Sequence, residues 1–375
     1  MRVLILSCNT GEGHNSCGKA IQEAFREKGI FCEMEDAFRF ISPKVSKLIS
    51  FLFVGVYRPL PGLFRFSYHY WENHPGVFKR ESGIYRFLTS GAERLYHFIV
   101  DENYDTIICP HVLSALMVTE VLRRHELNLR TYFVATDYTC SPSCGQSELD
   151  GYFIPDKSLA DEFVRCGVPE EKIIASGIPI RKGFYQTLDK ADAKRKIGLK
   201  PEDRHLLVMC GSMGCGPIKK LVREIAHSMS EDCRISVACG TNYRLRKKLE
   251  RAHAKDTRVE AYSYIHDIPA MMDSADLFLT KPGGISVTEA TQKHLPMVFV
   301  NAVAGCETYN MQFYMARNAA VTEETPKQLA EVTVQLLSDE AALCEMKAGF
   351  NGLPQESAAE QIVNTIMTAQ MTRGA

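Results

Sequence analysis

Twice in this sequence a short, unbroken apolar run enters a glycine-rich turn and then an amphipathic helix, and this doubled pattern restricts the fold more than any other feature. The first copy is residues 3–7, the turn Thr10-Gly11-Glu12-Gly13-His14-Asn15, and a helix over 16–28 with Ala20, Ile21, Ala24 and Phe25 on one face. Gly29 ends that helix and residues 30–34 resume as strand. The second copy is residues 206–209, a turn over 210–216, and a helix over 217–228. Strands that are apolar throughout are covered on both faces, as in a parallel sheet flanked by helices. Each copy therefore predicts an α/β, doubly wound unit.

The alternation continues along the chain. Strand patterns fall at 106–109, 131–135, 152–154 and 173–179, with helical patterns at 114–124 and 158–166. After residue 206, strands are expected at 235–239, 259–261, 277–280 and 296–300, and helices at 243–253, 268–273 and 286–293. A chain of 375 residues divides into about two domains. The boundary is expected near Gly177, giving domains 1–177 and 178–354, with a last helix in 355–375 that packs back on the first. Two such halves facing each other would leave a cleft at the carboxyl ends of both sheets.

Charge and cysteine usage exclude several classes. Lys plus Arg number 44 and Asp plus Glu 45, for a net charge of -1, so no overall basic character points to a nucleic-acid coat. The 13 cysteines are an odd number scattered through strands and loops, without a CxxC pair. That is the pattern of reduced thiols used as small apolar residues rather than of a disulfide framework or a zinc site. The N-terminal apolar run is too short for a signal peptide. The longest apolar stretch, residues 48–57, is about half of what a spanning helix needs. A cytoplasmic location is expected.

Residues 38–90 break the alternation. They hold 13 of the 35 aromatic residues, and eight Lys or Arg against Glu72 and Glu81, a local net of +6. Aromatic residues sit at headgroup level in membrane interfaces, and each basic residue near an anionic surface contributes about 1 kcal/mol. One reading of the segment is a surface that docks on an anionic membrane; the other is a hydrophobic helical subdomain covering the core. Nucleic-acid binding there is disfavoured, because a phosphate groove has no use for the apolar run 48–56.

Three segments carry chemistry. In the first turn, Gly11 and Gly13 allow close backbone approach, and His14 at the edge of the first strand is a candidate general base toward a hydroxyl. The competing reading makes His14 a helix cap or a surface residue. The turn is not a dinucleotide fingerprint, since Ser16 stands where the third glycine would be. In the second turn, Gly211, Ser212, Met213, Gly214, Cys215 and Gly216 precede Pro217, and their amides could hold a diphosphate at a helix start, unless the loop is only a structural turn. No GK[ST] follows, so it is not a Walker loop. The third segment is Lys281-Pro282-Gly283-Gly284-Ile285-Ser286-Val287-Thr288-Glu289-Ala290, followed by Gly305-Cys306-Glu307-Thr308-Tyr309-Asn310. Ser286 at a helix start could meet a phosphate, and Glu289 one turn into the helix could accept both hydroxyls of a ribose; otherwise Glu289 belongs to a solvated helix face.

Taken together, these motifs resemble the monogalactosyldiacylglycerol synthases and the processive diacylglycerol glucosyltransferases of bacteria, glycosyltransferase family 28. The resemblance runs over nearly the whole chain, including Ser176-Gly177-Ile178-Pro179-Ile180-Arg181 at the interdomain crossover. It implies a GT-B fold, two Rossmann-like doubly wound domains facing a central cleft. It also implies an inverting transfer of a hexose from a UDP-sugar to diacylglycerol or a glycosyl-diacylglycerol, at the cytoplasmic membrane face. By the same resemblance Glu289 is the ribose ligand, and Ser286 with the 214–216 loop forms the diphosphate site. Glu307 and Asn310 contact the donor sugar, Tyr264 and Ile265 lie where backbone groups hold the uracil, and His14, assisted by Asp137, acts on the acceptor. No cofactor and no metal are implied; UDP-glucose or UDP-galactose is the donor substrate. The loop after Asp137 departs from the family: the bulky aromatic usual after its proline is absent, and Gly145-Gln146-Ser147 is unusually small. That leaves open a transferase for a prenyl-linked or other acceptor, an epimerase of the same fold, or a non-catalytic UDP-sugar sensor.

Overall fold

The computed structural model describes residues 1–8, 12–44, 46, 74–141, 143–211, 216–300 and 305–371. The chain forms two compact units. One comprises Met1–Arg181, Val303–Cys306 and Glu356–Ala375, the other Lys182–Ala302 and Glu307–Gln355.

In the first unit six parallel strands, β1 (Arg2–Ser7), β2 (Phe31–Asp36), β3 (Thr106–Cys109), β4 (Arg130–Val134), β5 (Gly151–Ile154) and β6 (Ile173–Ala175), lie in the order β2-β1-β3-β4-β5-β6. Val3, Leu4, Ile5 and Leu6 of β1 are fully buried, as an apolar run covered on both faces requires. The helices are α1 (Glu12–Glu27), α2 (Ala37–Ile41), α3 (Gly83–Leu88), α4 (Ala92–Asp101), α5 (Val112–Arg124) and α6 (Ala160–Arg165). Gly18 lets α1 lie close on the sheet: a Cβ there would stand 2.8 Å from Met34 Sδ and 3.1 Å from Ile5 Cγ2.

The second unit repeats the plan. Its strands are β7 (Arg204–Met209), β8 (Cys233–Ala238), β9 (Val259–Tyr262), β10 (Leu277–Thr280), β11 (Met297–Phe299) and β12 (Ala320–Thr322), all parallel, in the order β12-β11-β10-β7-β8-β9. Its helices are α7 (Lys190–Lys196), α8 (Ile218–Ser228), α9 (Tyr243–Ala252), α10 (Ile268–Ser274), α11 (Gly284–Gln292), α12 (Cys306–Met315), α13 (Pro326–Ser338) and α14 (Glu340–Ala348). The last helix, α15 (Ala358–Met371), packs against α1 and buries Ile362, Val363 and Ile366. The expected α/β architecture of two doubly wound sheets is present in both units.

Two local expectations shift. The first helix starts at Glu12 rather than at residue 16, so Gly13 and His14 lie inside its first turn, where Glu12 also complements the helix dipole. The helix after β10 starts at Gly284 with Gly283 as its N-cap, which makes Ser286 its third residue.

Of the aromatic, basic segment, residues 45 and 47–73 lie outside the described residues. The described ends do two things at once. Phe38, Phe40, Phe78, Tyr85 and Leu88 are buried in the core of the first unit. On the opposite face of α3, Ile84 and Phe87 are exposed at 44% and 48%, beside the exposed Lys79, Arg80 and Arg86. Among the described residues no helix is long and apolar enough to cross a membrane. The described cysteines are free thiols, and burial raises the Cys32 and Cys109 thiols to about 12, as befits packing residues.

Candidate functional site

Each sheet changes direction once. In the first, the chain runs outward one way from β1 to β2 and the other way from β3 to β6, so the switch lies between β1 and β3. In the second, β7 to β9 and β10 to β12 diverge from the β7–β10 pair. Ligands of open parallel sheets bind outside the carboxyl ends of the strands at such points, and both groups of candidate residues stand there.

At the first switch point His14 leaves the end of β1 and meets the segment after β3. Its Nδ1 lies 2.9 Å from the Pro110 carbonyl oxygen and 2.9 Å from Thr136 Oγ1. A carbonyl can only accept, so Nδ1 carries the hydrogen and Nε2 holds the lone pair. Burial pushes the His14 pKa below its ordinary value of 6.5, against the opposing pull of the Asp137 carboxylate. The imidazole is therefore neutral at neutral pH with its basic nitrogen fixed. That is the state a general base needs.

The ring of His111 packs against that of His14, centroids 4.3 Å apart at 60°. His111 caps α5: its Nδ1 accepts from the Leu113 N–H at 3.1 Å, which makes Nε2 its protonated nitrogen. Burial, and then the neighbouring His14, hold its pKa well below 6.5. Sequence reasoning missed both His111 and Thr136. The available signal was positional, since each stands just beyond the end of a strand in the same sheet, as His14 does.

The loop after Asp137 is fastened to α6. Glu162 Oε1 accepts from Thr139 Oγ1 at 2.6 Å and from the Cys140 N–H at 2.7 Å. A Cβ on Gly145 would fall 1.7 Å from the Cys166 carbonyl oxygen. The smallness of that loop thus has a packing cause, because its backbone runs directly over the end of α6.

At the second switch point the turns after β7 and β10 emerge side by side, since these strands are neighbours. Ser212, Met213 and Gly214 lie outside the described residues, as does Gly11 of the first turn. Gly211 and Gly216 have φ of +74° and +107°, which side-chain-bearing residues rarely adopt. A Cβ on Gly211 would also stand 2.8 Å from Lys281 Cε. Lys281 Nζ is 2.6 Å from Glu307 Oε1. Asn310, fully buried on α12, donates from Nδ2 to the Pro282 carbonyl at 2.9 Å. Thr280 Oγ1 donates to the Met209 carbonyl at 2.7 Å and so ties the two turns together. Pro282, Gly283, Gly284 and Ser286 thus form the mouth of α11, where the positive end of the helix dipole lies. Glu289 is buried, at 7% exposure, so it does not belong to a solvated helix face. Tyr264 is 67% exposed between β9 and α10, its ring edge-on to His266, with Ile265 half-buried between them. Among the described residues no group of three or more His, Cys, Asp or Glu is arranged to hold a metal.

Residues 14–180 match the monogalactosyldiacylglycerol (MGDG) synthase model and residues 205–362 the glycosyltransferase family 28 C-terminal domain. A processive diacylglycerol beta-glucosyltransferase of Bacillus cytotoxicus is 27% identical over 373 residues, covering 98% of this chain and 93% of that one. Another, from Bacillus licheniformis, is 28% identical over 369 residues, covering 97% and 94%. Among solved structures, MurG of Acinetobacter baumannii superimposes with a TM-score of 0.67 at 13% identity, covering 98% of this chain and 99% of that one. A UDP complex of S. aureus MnaA does so with 0.65 at 15%, covering 98% and 96%. Those likenesses show the GT-B fold. Two family models laid end to end over the two doubly wound units, and relatives aligned over nearly the full length, place the chain in glycosyltransferase family 28, with the monogalactosyldiacylglycerol synthases and the processive diacylglycerol glucosyltransferases.

Proposed function

We propose that the protein transfers a hexose from UDP-glucose or UDP-galactose to diacylglycerol, or to a glycosyl-diacylglycerol, with inversion at the anomeric carbon. The observation that carries this reading is His14, held as a neutral imidazole with Nδ1 on the Pro110 carbonyl and Nε2 basic. In this reading Nε2 takes the proton of the lipid hydroxyl as its oxygen attacks the anomeric carbon, and Asp137 stabilises the imidazolium that forms. Glu289 takes the ribose hydroxyls, Glu307 and Asn310 address the sugar, and Tyr264 and Ile265 flank the base. The departing diphosphate is received by Gly211 to Gly216, Lys281 and Ser286, where amides and a helix start stabilise charge as it develops. The relatives named above act on diacylglycerol, which supports the acceptor.

The same proposal places the enzyme at the cytoplasmic face of the cell membrane, peripherally attached. The exposed Ile84 and Phe87 flanked by Lys79, Arg80 and Arg86 support it, because apolar tips within a basic rim are what an anionic interface receives. The test is UDP release and glycolipid formation from each UDP-sugar, with and without diacylglycerol in vesicles. Lipid-dependent release with a β-configured product is the expected result. Release that ignores the lipid, or an α-configured product, overturns the proposal.

A further inference from the structure

The strongest charge segregation among the described residues lies far along the chain from the aromatic segment, on two neighbouring helices of the second unit. α8 carries Lys219, Lys220 and Arg223 against Glu224, and α9 carries Arg244, Arg246, Lys247, Lys248 and Arg251 against Glu250. The two helices touch. In a chain whose net charge is -1, they hold a local net of +6.

The charges are also aligned. α9 is held to its unit by Leu249, buried, and Leu245, half-buried, four residues apart on one side. At 3.6 residues per turn, Tyr243, Lys247, Arg251, Arg244 and Lys248 fall within an arc of roughly 140° on the other side, and all five are exposed. The outward arc of α8 carries Lys219, Lys220, Arg223 and His227 in the same way, opposite the buried Ile218, Leu221, Val222 and Ile225. Arg244 with Lys248, and Lys247 with Arg251, are like charges at i, i+4, an arrangement that weakens a free-standing helix. One internal ion pair relieves α9, Arg246 with Glu250 at 2.7 Å. Tyr243, 59% exposed, lies under the Lys247 ammonium at 4.6 Å from its ring centroid.

We propose that the outward face of α8 and α9 is a docking surface for an anionic lipid bilayer. Two side-by-side helices present a broad basic face rather than a groove, which fits headgroups spread over a plane better than a nucleic-acid strand. The exposed tyrosine at its rim fits the headgroup layer. This surface belongs to the unit proposed to hold the sugar donor and is distinct from the Ile84–Phe87 edge. It rests on the proposed lipid acceptor for its biological sense, though not for its chemistry.

The test uses the full chain and flotation with phosphatidylcholine vesicles, with and without phosphatidylglycerol. The combined variant R244Q, K247Q, K248Q, R251Q keeps helix propensity while removing four charges. A second, K219Q, K220Q, R223Q, probes α8 independently, and each is checked for an unchanged melting temperature and for UDP binding. Each variant is expected to bind phosphatidylglycerol vesicles at least about tenfold more weakly, and the wild type to lose that binding as salt is raised. Unchanged vesicle binding by both variants overturns the inference, as does a wild type that prefers RNA homopolymer to the vesicles. Transfer to diacylglycerol presented in neutral detergent reads the proposed function separately, and its absence would leave the vesicle result standing.

Discussion

Lys281 and Glu307, 26 residues apart on the turn after β10 and the first turn of α12, form an ion pair of 2.6 Å at the mouth of α11. Both are proposed donor ligands, and each holds the other in place. The pair also explains why residue 211 is glycine, since the lysine stem occupies the space a Cβ would take. Replacing Gly211 by alanine combines a backbone at φ +74° with a contact of 2.8 Å to Lys281 Cε. G211A is expected to weaken UDP binding about tenfold or more while melting within a few degrees of the wild type. Calorimetric UDP titration checks it, and an unchanged affinity would remove the turn from the donor site.

E307Q separates charge from shape at the same place. It keeps a hydrogen-bond acceptor for Lys281 but removes the charge pairing, and each charge-assisted bond contributes about 1.5–3 kcal/mol. If Glu307 reads the hexose, kcat/KM with the preferred UDP-sugar should fall about tenfold or more, while affinity for UDP, which lacks the sugar, stays near that of the wild type. Equal losses for UDP and UDP-sugar would assign Glu307 to the lysine alone.

His14 and His111 give the pH prediction. H14A should lower kcat by about 10²–10⁴, the range for loss of a general base, with UDP binding intact. H111N is subtler, because asparagine still caps α5 through a side-chain oxygen but no longer covers the His14 ring. Burial is the largest cause of the lowered His14 pKa, so uncovering the ring moves that pKa up toward 6.5. The base must be unprotonated to act, so the acid limb of kcat/KM should shift to higher pH in H111N. The KM for the UDP-sugar should not change. An acid limb that stays in place would show that His111 serves α5 alone.

Much of this architecture is legible in the residues. The apolar runs at 3–6 and 206–208 read as strands because they are buried on both faces, and Gly29 and Gly216 mark helix boundaries because their positive φ excludes most other residues. The pattern of the chain does not say which strand ends become neighbours. His14, Pro110 and Thr136 meet only because the sheet order sets β1 beside β3 and β3 beside β4. Long-range parallel pairing leaves no local trace, so the sequence places Thr136 and His111 just beyond strand ends but does not pair them with His14. Gly145 was read as an oddity of composition, because its meaning lies in the Cys166 carbonyl 21 residues away. The double character of the aromatic segment was hidden for a related reason: Ile84 and Phe87 face outward while Tyr85 and Leu88, one residue on, face the core.

Gly145 yields a prediction about the acceptor loop. A methyl group there would fall 1.7 Å from a backbone oxygen, which cannot swing aside as a flexible side chain does. G145A must push the loop off α6 and strain its anchors to Glu162, costing about 1–3 kcal/mol or more. Asp137 begins the same loop, so kcat should fall together with stability, while UDP affinity in the other unit is retained. A variant with wild-type melting temperature and rate would show that the loop yields freely and does not position Asp137.

The acid sensitivity of the second unit should trace to His205. The residue is fully buried with its Nδ1 2.9 Å from Ser274 Oγ, and burial lowers its pKa to about 4, with the Asp276 carboxylate opposing and the Lys194 ammonium adding to the shift. The unfolded chain, at the ordinary 6.5, binds the proton first, so stability is complete above pH 6.5 and is lost as pH falls from there toward 4. The full drop corresponds to about 3 kcal/mol at 1.36 kcal/mol per unit, of which about 2 kcal/mol should already be gone at pH 5. H205Q keeps a polar partner for Ser274 and does not titrate. Urea unfolding of the two proteins at pH 7 and pH 5 should therefore show the variant losing less on acidification, by about 2 kcal/mol. His14 and His111, also lowered by burial, contribute the same acid loss to both proteins and cancel in the comparison. Parallel losses in wild type and variant would mean that His205 takes up its proton in the folded state at its ordinary pKa, through water reaching the base of β7.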